Sequence, residues 1–153
     1  MDKNRHAEIY FEDWNAGDQF ITAGRTVSIT DVETYTNNME DYNPLYTDDE
    51  FAKKEMYGSR IAPELLVHAI SLGQISQTRL FEETAMGFNK IGIDFINPVK
   101  PGDTVTSKVQ FIGKETTGKK EYGVVKFYVE VMNQRGEIIL KSNQCVAIRK
   151  KDV

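Results

Sequence analysis

Four side chains capable of acid–base chemistry stand in two pairs along this chain. Asp41 and Tyr46 flank an Asn-Pro turn, and Glu64 and His68 are one helical turn apart. Residues at that spacing face the same side of a helix, so Glu64 and His68 can form a base with its orienting partner. His68 equally suits a position satisfied within helix packing, and Asp41 suits the end of a helix or the cap of a turn. The sequence leaves these alternatives open.

Tyr46 and Glu64 each have a structural interpretation beside the chemical one. Tyrosine titrates near ~10, so at neutral pH Tyr46 is a hydrogen-bond donor and a poor base. It also suits a buried tyrosine whose hydroxyl is paired. An acid in the first turn of a helix is favourable by ~0.3–1 kcal/mol, which accounts for Glu64 without any chemistry. In the chemical interpretation, the Glu64 carboxylate enters a pocket and acts as a base.

The composition indicates one globular domain spanning residues 1–153. A chain of this length can bury a core without disulfides or metal. The net charge is −4, from 19 Lys+Arg against 23 Asp+Glu, which argues against a nucleic-acid-binding protein. One cysteine and two distant histidines offer neither a disulfide nor metal-ligand spacing. We therefore expect no metal and no redox cofactor.

No segment of the sequence predicts contact with a membrane. Residues 1–10 are polar and charged and do not resemble a signal peptide. No stretch reaches the ~18 apolar residues that span a bilayer. The single cysteine fits a reducing compartment. We expect a cytoplasmic protein.

The elements that must position these side chains begin with one strand and one helix. We predict a strand over 20–29, followed by a helix that Thr30 caps. The helix should end near residue 40, because the residue before Pro44 avoids the helical conformation. Asp41 and Tyr46 then lie in the segment that follows it.

Two further helices are predicted before the chain changes pattern. Asp48 or Asp49 caps a short helix over 50–56. The longest helix spans 63–81, with Pro63 at the first helical position, where the missing N–H is harmless. Its apolar residues cover much of the circumference, so we expect other elements to wrap around it.

The second half of the chain alternates apolar and polar residues, which is typical of half-buried strands. We predict strands over 105–111, 125–131 and 138–148, joined by hairpins at 117–120 and 133–136. Short connections imply antiparallel neighbours. The expected architecture is α+β, with an antiparallel sheet curled around one long helix.

Three segments, in their order and spacing, resemble the MaoC-like dehydratases, which include the (R)-specific enoyl-CoA hydratases. The resemblance covers about residues 13–148. It rests on Asp41-Tyr42-Asn43-Pro44-Leu45-Tyr46-Thr47-Asp48, Gly58-Ser59-Arg60-Ile61-Ala62-Pro63-Glu64-Leu65-Leu66-Val67 and Asp94-Phe95-Ile96-Asn97-Pro98-Val99-Lys100-Pro101-Gly102-Asp103-Thr104. This resemblance implies the hot-dog fold, in which a long helix is wrapped by an antiparallel sheet.

In the family, the first segment reads Asp-x-Asn-Pro-x-His, and its Asp and His activate a water that adds to an enoyl thioester. The second segment reads Gly-x-x-Ile-Ala-His-Gly-Met, and its last glycine N–H binds the thioester oxygen. This sequence matches the family at Asp41 and Asn43-Pro44. It has Tyr46 in place of the histidine and Pro63-Glu64 in place of His-Gly.

The resemblance therefore implies a site with three catalytic residues and five that contact substrate. Asp41 would be the base that holds the water, Tyr46 would be a proton donor or an orienting group, and Glu64 would be a second acid–base group. We expect this loop and the start of the long helix to line one cavity for an acyl group on CoA or a carrier protein. The expected substrate contacts are Asn43, Ala62, Pro63, Leu65 and His68.

Three functions remain in competition at this point. The first is a lyase that adds or removes water at an acyl-thioester double bond. The second is a binding subunit that keeps the acyl-thioester tunnel without chemistry and supports a catalytic partner. The third is thioester hydrolysis. We expect a homodimer, because the strand-rich half would otherwise leave an exposed sheet edge, and a heteromeric partner under the second function.

Overall fold

The chain enters the fold through short elements that pair with one long strand. The computed structural model describes residues 8–152. A single turn of 3-10 helix (Phe11–Asp13) leads to β1 (Gln19–Ile21) and β2 (Arg25–Thr26), and both strands pair antiparallel with the later strand β4 (Thr104–Thr116). The continuous strand predicted over 20–29 is thus wrong in part. Ile21 pairs with Lys108 and Arg25 pairs with Val105. The segment that joins β1 to β2 therefore contains one residue more than the matching part of β4.

Helix α1 (Ile29–Met39) has its N-cap two residues before the predicted one. Ser28 is the N-cap: its hydroxyl accepts from the Asp31 N–H at 3.0 Å, and the Asp31 carboxylate accepts from the Ser28 N–H at 2.8 Å. This reciprocal capping box satisfies two backbone donors, so Thr30 as the cap is wrong. The helix ends as predicted, at Glu40, whose φ of 54° is left-handed.

Two short helices follow, and the first was not predicted. Helix α2 (Pro44–Thr47) has proline at its first position, and α3 (Asp49–Ala52) is capped by Asp48, whose carboxylate accepts from the Phe51 N–H at 3.0 Å. The prediction of Asp48 as a cap is confirmed, but the helix ends at Ala52 rather than residue 56. Beyond it, the N–H groups of residues 54 and 55 bond three residues back, which tightens the chain into turns.

Helix α4 (Glu64–Gln77) is the long helix, with Pro63 as the N-cap rather than the first helical residue. It ends four residues before the predicted position. The Thr78 hydroxyl donates to the Ile75 carbonyl at 2.6 Å, and Arg79 has a left-handed φ of 61°. These two features reverse the chain. Phe81 then packs on Trp14, with ring centroids 5.4 Å apart, instead of extending the helix.

The remaining strands form one antiparallel sheet. They are β3 (Ala85–Phe95), β4 (Thr104–Thr116), β5 (Tyr122–Met132) and β6 (Ile138–Arg149), in the order β1-β4-β5-β6-β3, and β2 pairs with β4 as well. The three predicted strands and both hairpins are confirmed. Strand β3 was not predicted, although Ile91, Ile93 and Phe95 alternate with Gly92 and Asp94; it lies at the sheet edge and most of its residues are exposed.

One face of α4 packs on the sheet. Its buried polar side chains are paired there: the Ser71 hydroxyl bonds the Ser107 hydroxyl at 2.8 Å, and Gln74 donates to the Val105 carbonyl at 2.8 Å. The prediction that α4 is wrapped holds for this face alone, since Leu65 is 58% exposed on the other. The α+β arrangement of one helix against a curled antiparallel sheet is confirmed. Between residues 8 and 152, no helix has the length and apolarity needed to cross a membrane.

Candidate active site

The loop after α1 presents Tyr46 through a short, capped helix. Asn43 caps α2, because its side-chain oxygen accepts from the Leu45 N–H at 3.0 Å. Pro44 occupies the first helical position, which fixes the direction of the turn. Asn43 is exposed and its side chain is engaged with its own loop. Its observed role is therefore to shape the loop, and its predicted contact with substrate stays a prediction.

The start of α4 lies against this loop. The Ile61 N–H donates to the Leu45 carbonyl at 3.2 Å, and the Ala62 N–H donates to the Val99 carbonyl at 2.7 Å. Ala62 and Pro63 are buried, so the segment before the helix is fixed on both sides. These bonds place Glu64, the first residue of α4, beside α2.

The side chains of Tyr46 and Glu64 meet across this junction. The Tyr46 hydroxyl donates to Glu64 Oε2 at 2.9 Å, and both residues are half-buried. The two elements that the sequence predicted to share a site are therefore in direct contact. Asp41, at the start of the same loop, is exposed.

The surroundings of Tyr46 keep its phenol protonated. Burial, the hydrogen bond to Glu64, and the negative charges of Glu64 and Asp41 all raise the pKa of Tyr46 well above its ordinary value. A phenol in this state donates a hydrogen bond and does not act as a base near neutral pH. In this geometry, the protonated Tyr46 hydroxyl donates to the Glu64 carboxylate.

Arg60 holds the loop after α1 in place through its side chain, a role that was not predicted from the sequence. Its Nε donates to the Asp49 carboxylate at 2.7 Å, and its guanidinium reaches the Tyr46 carbonyl at 3.5 Å. Its side chain is only 15% exposed, so this ion pair is partly desolvated. The sequence shows only that a positively charged residue lies in the second family segment. It does not show the contacts of Arg60, because Asp49 and Tyr46 lie in earlier segments of the chain.

His68 belongs to the interior and not to the Tyr46–Glu64 pair. It is 6% exposed, and its Nε2 lies 3.4 Å from the Ser142 hydroxyl of β6. Burial lowers the pKa of His68, so the ring is neutral near pH 7. Glu64 and His68 therefore have different partners, and the structure does not form the base–orienter pair that their spacing allowed. Leu65, a predicted substrate contact, is exposed beside Glu64.

A cavity lies further along α4. It measures about 350 Å³ and sits between the second half of the helix and the sheet. Its walls are Leu72, Ile75, Ser76, Phe81, Glu82, Ala85, Phe88, Val109, Phe127, Gln144 and Val146. Neither Tyr46 nor Glu64 lines this cavity, so the expectation that they line one cavity stays a prediction. Leu72 is about 12 Å beyond Glu64 along the helix axis.

The family assignment rests on a match over most of the chain. The model of the MaoC like domain matches residues 14–133. The chain belongs to this family. Its sheet and central helix are those of the hot-dog fold. The family model does not address the replacement of the catalytic histidine by Tyr46.

Similar proteins of known name include hydratases and dehydratases of acyl thioesters. The chain is 28% identical over 149 residues to a mesaconyl-CoA hydratase from Cereibacter sphaeroides, covering 96% of this chain and 43% of that protein. It is 27% identical over 124 residues to a mitochondrial 3-hydroxyacyl-[acyl-carrier-protein] dehydratase from Arabidopsis thaliana, covering 81% of this chain and 71% of that protein. The chain thus spans less than half of the first relative.

One solved structure is similar over nearly the whole chain. A protein from Archaeoglobus described as a monoamine oxidase regulatory protein superposes with a TM-score of 0.84. The two sequences are 35% identical, and the match covers 94% of this chain and 96% of that one. The hot-dog architecture predicted from the sequence is confirmed.

Proposed function

We propose that this chain is an acyl-thioester hydratase or dehydratase, which adds water reversibly to the double bond of an enoyl-CoA or an enoyl-carrier thioester. The observation that carries the proposal is the 2.9 Å hydrogen bond from Tyr46 to Glu64. It joins the loop and the helix start that hold the chemistry in this family, and it uses the two residues that depart from the family pattern. The names of the relatives support the reaction class.

In the proposed reaction, Glu64 is the acid–base group and Tyr46 is its orienting partner. The Glu64 carboxylate takes a proton from water, and the water oxygen bonds to the β-carbon of the enoyl group. The electron pair of the double bond moves to the α-carbon, which then receives that proton back from Glu64, so the carboxylate is regenerated and water is added without oxidation or reduction. Asp41 holds the water from the loop side. A positioned acid–base group of this kind contributes ~10²–10⁴-fold to a rate.

The start of α4 supplies the groups that stabilise the charge developing on the thioester oxygen. The first N–H groups of a helix have no partners within it, and the helix dipole adds positive character there. Pro63 provides no side-chain cap to compete for them. The hydrogen bond from Tyr46 disperses the negative charge of Glu64, which reduces its repulsion of the neighbouring oxyanion.

We propose that the active form is a homodimer built on the β3 edge. Strand β3 pairs only with β6 among the described strands, and its other edge is open. Apolar side chains are exposed on and just after it, including Phe88 (49%), Phe95 (48%) and Ile96 (51%). An open edge with exposed apolar side chains favours pairing with another chain. A different hot-dog subunit would use the same edge.

A second function, a binding subunit without chemistry, is favoured by one observation. The Tyr46 hydroxyl replaces a histidine of the family motif and is already engaged with Glu64. A phenol held protonated cannot take the proton that the family histidine takes. In this alternative the chain binds an acyl thioester and supports a catalytic partner.

One assay separates these functions. The purified protein is mixed with trans-2-enoyl-CoA esters, and the loss of enoyl-thioester ultraviolet absorbance is followed together with the release of free thiol. Loss of absorbance without thiol supports the hydratase. Thiol release would indicate hydrolysis, and binding of acyl-CoA without either change would indicate the binding subunit.

A further inference from the structure

The cavity beneath the second half of α4 contains one buried polar side chain. Gln144 on β6 is 4% exposed and forms part of the cavity wall. Its neighbours on the wall are mainly apolar, among them Ile75 and Phe127. A carboxamide in such a place needs hydrogen-bond partners, because leaving a buried polar group unpaired is costly.

Hydrogen bonds within the protein pair only part of the Gln144 carboxamide. Gln144 Nε2 donates to the Ser142 hydroxyl at 3.2 Å, and Ser142 in turn lies 3.4 Å from His68 Nε2. Within residues 8–152, no donor is found for Gln144 Oε1. A carboxamide has two donors and one acceptor oxygen, so a ligand in the cavity can meet the remaining groups.

A polar chain of His68, Ser142 and Gln144 connects the middle of α4 to the cavity wall. Glu64, His68 and Leu72 follow one another at four-residue spacing along α4, so they lie on one side of the helix. Glu64 is at the reacting end, His68 contacts Ser142, and Leu72 lines the cavity. The cavity wall at Leu72 thus lies about 12 Å from Glu64 along the helix axis.

The cavity favours a neutral polar group over a charged one. None of the described residues that line it carries a positive charge, and Glu82 contributes a negative one. The cation nearest in the sequence, Arg79, is already paired with Glu82 at 2.9 Å. A carboxylate placed here would lose its hydration without gaining a cation. A hydroxyl group both donates and accepts, so it can pair with either end of the Gln144 carboxamide.

We propose that this cavity binds the distal part of an acyl group that carries a neutral hydroxyl, and that Gln144 recognises this hydroxyl. The volume of about 350 Å³ lies within the ~300–1,000 Å³ range of small-molecule sites. The inference rests on the proposed function for the identity of the thioester. The recognition of the hydroxyl rests on the cavity and Gln144 alone.

The test compares matched acyl-CoA esters that end in a methyl, a hydroxyl or a carboxylate group. Binding of saturated esters, which cannot be hydrated, is measured by titration calorimetry, and hydration of the corresponding enoyl esters is measured by absorbance. At the best chain length, we expect the hydroxyl ester to bind roughly three- to tenfold more tightly than the methyl ester, as one neutral hydrogen bond predicts. The carboxylate ester should bind most weakly.

Gln144→Met keeps the shape of the side chain and removes its hydrogen-bonding groups. It should abolish the preference for the hydroxyl ester, whereas Gln110→Met, at a half-exposed position of β4 outside the cavity wall, should preserve it. Equal binding of hydroxyl and methyl esters by the unmodified protein would overturn the inference, and this result does not depend on whether the variant folds. A preference that survives in Gln144→Met would overturn it as well.

The two readouts keep this inference separate from the proposed function. A hydroxyl preference in binding with no hydration of any enoyl ester would retain the inference and contradict the hydratase. Hydration without a preference for the hydroxyl ester would support the hydratase and contradict this inference. Failure to bind any acyl-CoA would contradict both.

Discussion

The hydroxyl of Tyr46 and the carboxylate of Glu64 form a hydrogen bond of 2.9 Å between residues 18 positions apart in the chain. One residue lies on α2 and the other begins α4. In the resemblance drawn from the sequence, each stands at a position where the family motif has another residue, and the two contact each other. We infer that they act as a unit, in which the tyrosine orients the carboxylate that exchanges the proton.

Removal of the Tyr46 hydroxyl tests this orienting role. Tyr46→Phe keeps the ring and removes the donor, so the Glu64 carboxylate loses its fixed direction. A hydrogen bond to a charged group contributes ~1.5–3 kcal/mol, so we expect kcat for hydration to fall roughly ten- to a hundredfold, with a smaller change in KM. Tyr122→Phe, at the far end of β5, is the matched control and should retain the full rate. An unchanged kcat in Tyr46→Phe would rule out the orienting role.

Restoring the family histidine separates an active chain from a binding subunit. If Glu64 and Tyr46 already perform the acid–base step, Tyr46→His gains nothing and disturbs the bond to Glu64. We therefore expect its hydration rate, followed by enoyl absorbance, to be no higher than that of the unmodified protein. A large gain, from no detectable rate to a measurable one, would instead support the binding subunit.

Asp41 is the second carboxylate of the proposed site. Asp41→Asn preserves the shape of the side chain and removes the charge that helps to hold the water. We expect kcat to fall by ~10²–10⁴-fold if Asp41 has this role. Asp152→Asn, an exposed residue of the C-terminal tail, serves as the control. Equal rates for the two variants would remove Asp41 from the mechanism.

His68 should make the stability of the fold depend on pH. The pKa of His68 is lowered in the folded protein and lies near ~6.5 in the unfolded chain. Below about pH 6.5, the unfolded state therefore binds a proton at His68 more readily than the folded state does. The free energy of unfolding therefore falls as pH decreases through this region, by at most ~1.4 kcal/mol per pH unit from this group.

Thermal unfolding between neutral and mildly acidic pH checks this effect. His68→Gln removes the titrating ring, so the difference between the variant and the unmodified protein isolates its contribution. His6 remains in both proteins and cancels in the comparison. We expect the pH dependence to be weaker in the variant. An identical slope in both proteins would show that His68 is not held neutral by the fold.

Much of the fold could be predicted from local sequence rules, and the errors in the prediction also have local causes. The Glu40 end of α1 follows from the break imposed by Pro44, and the hairpins of β4, β5 and β6 follow from alternation and turn residues. Strand β3 carried a signal that was not used, since Ile91, Ile93 and Phe95 alternate with Gly92 and Asp94, although most of this edge strand is exposed. Ser28 and Thr30 are both suitable N-cap residues, so the sequence does not decide which of them caps α1. The hydrogen bonds between Ser28 and Asp31 show that Ser28 is the cap.

The candidate site was predictable only where the family motif linked distant segments. Nothing local in the sequence brings Tyr46 to Glu64, because backbone bonds such as the one from Ile61 to Leu45 close that junction. The contacts of Arg60 depend on the same closure. Gln144 had a signal that the sequence analysis did not use. It shares the parity of buried Val146 on β6, and a polar residue on an apolar face is informative.

The most direct test of this account replaces the Glu64 carboxylate by an amide. Glu64→Gln and its control Glu50→Gln both remove an acid from the first turn of a helix, so they lose similar interactions with the helix dipole. With a trans-2-enoyl-CoA substrate and enoyl absorbance as the readout, the account predicts that Glu64→Gln lowers kcat by ~10²–10⁴-fold while Glu50→Gln keeps the rate of the unmodified protein. Equal hydration rates in both variants would contradict it.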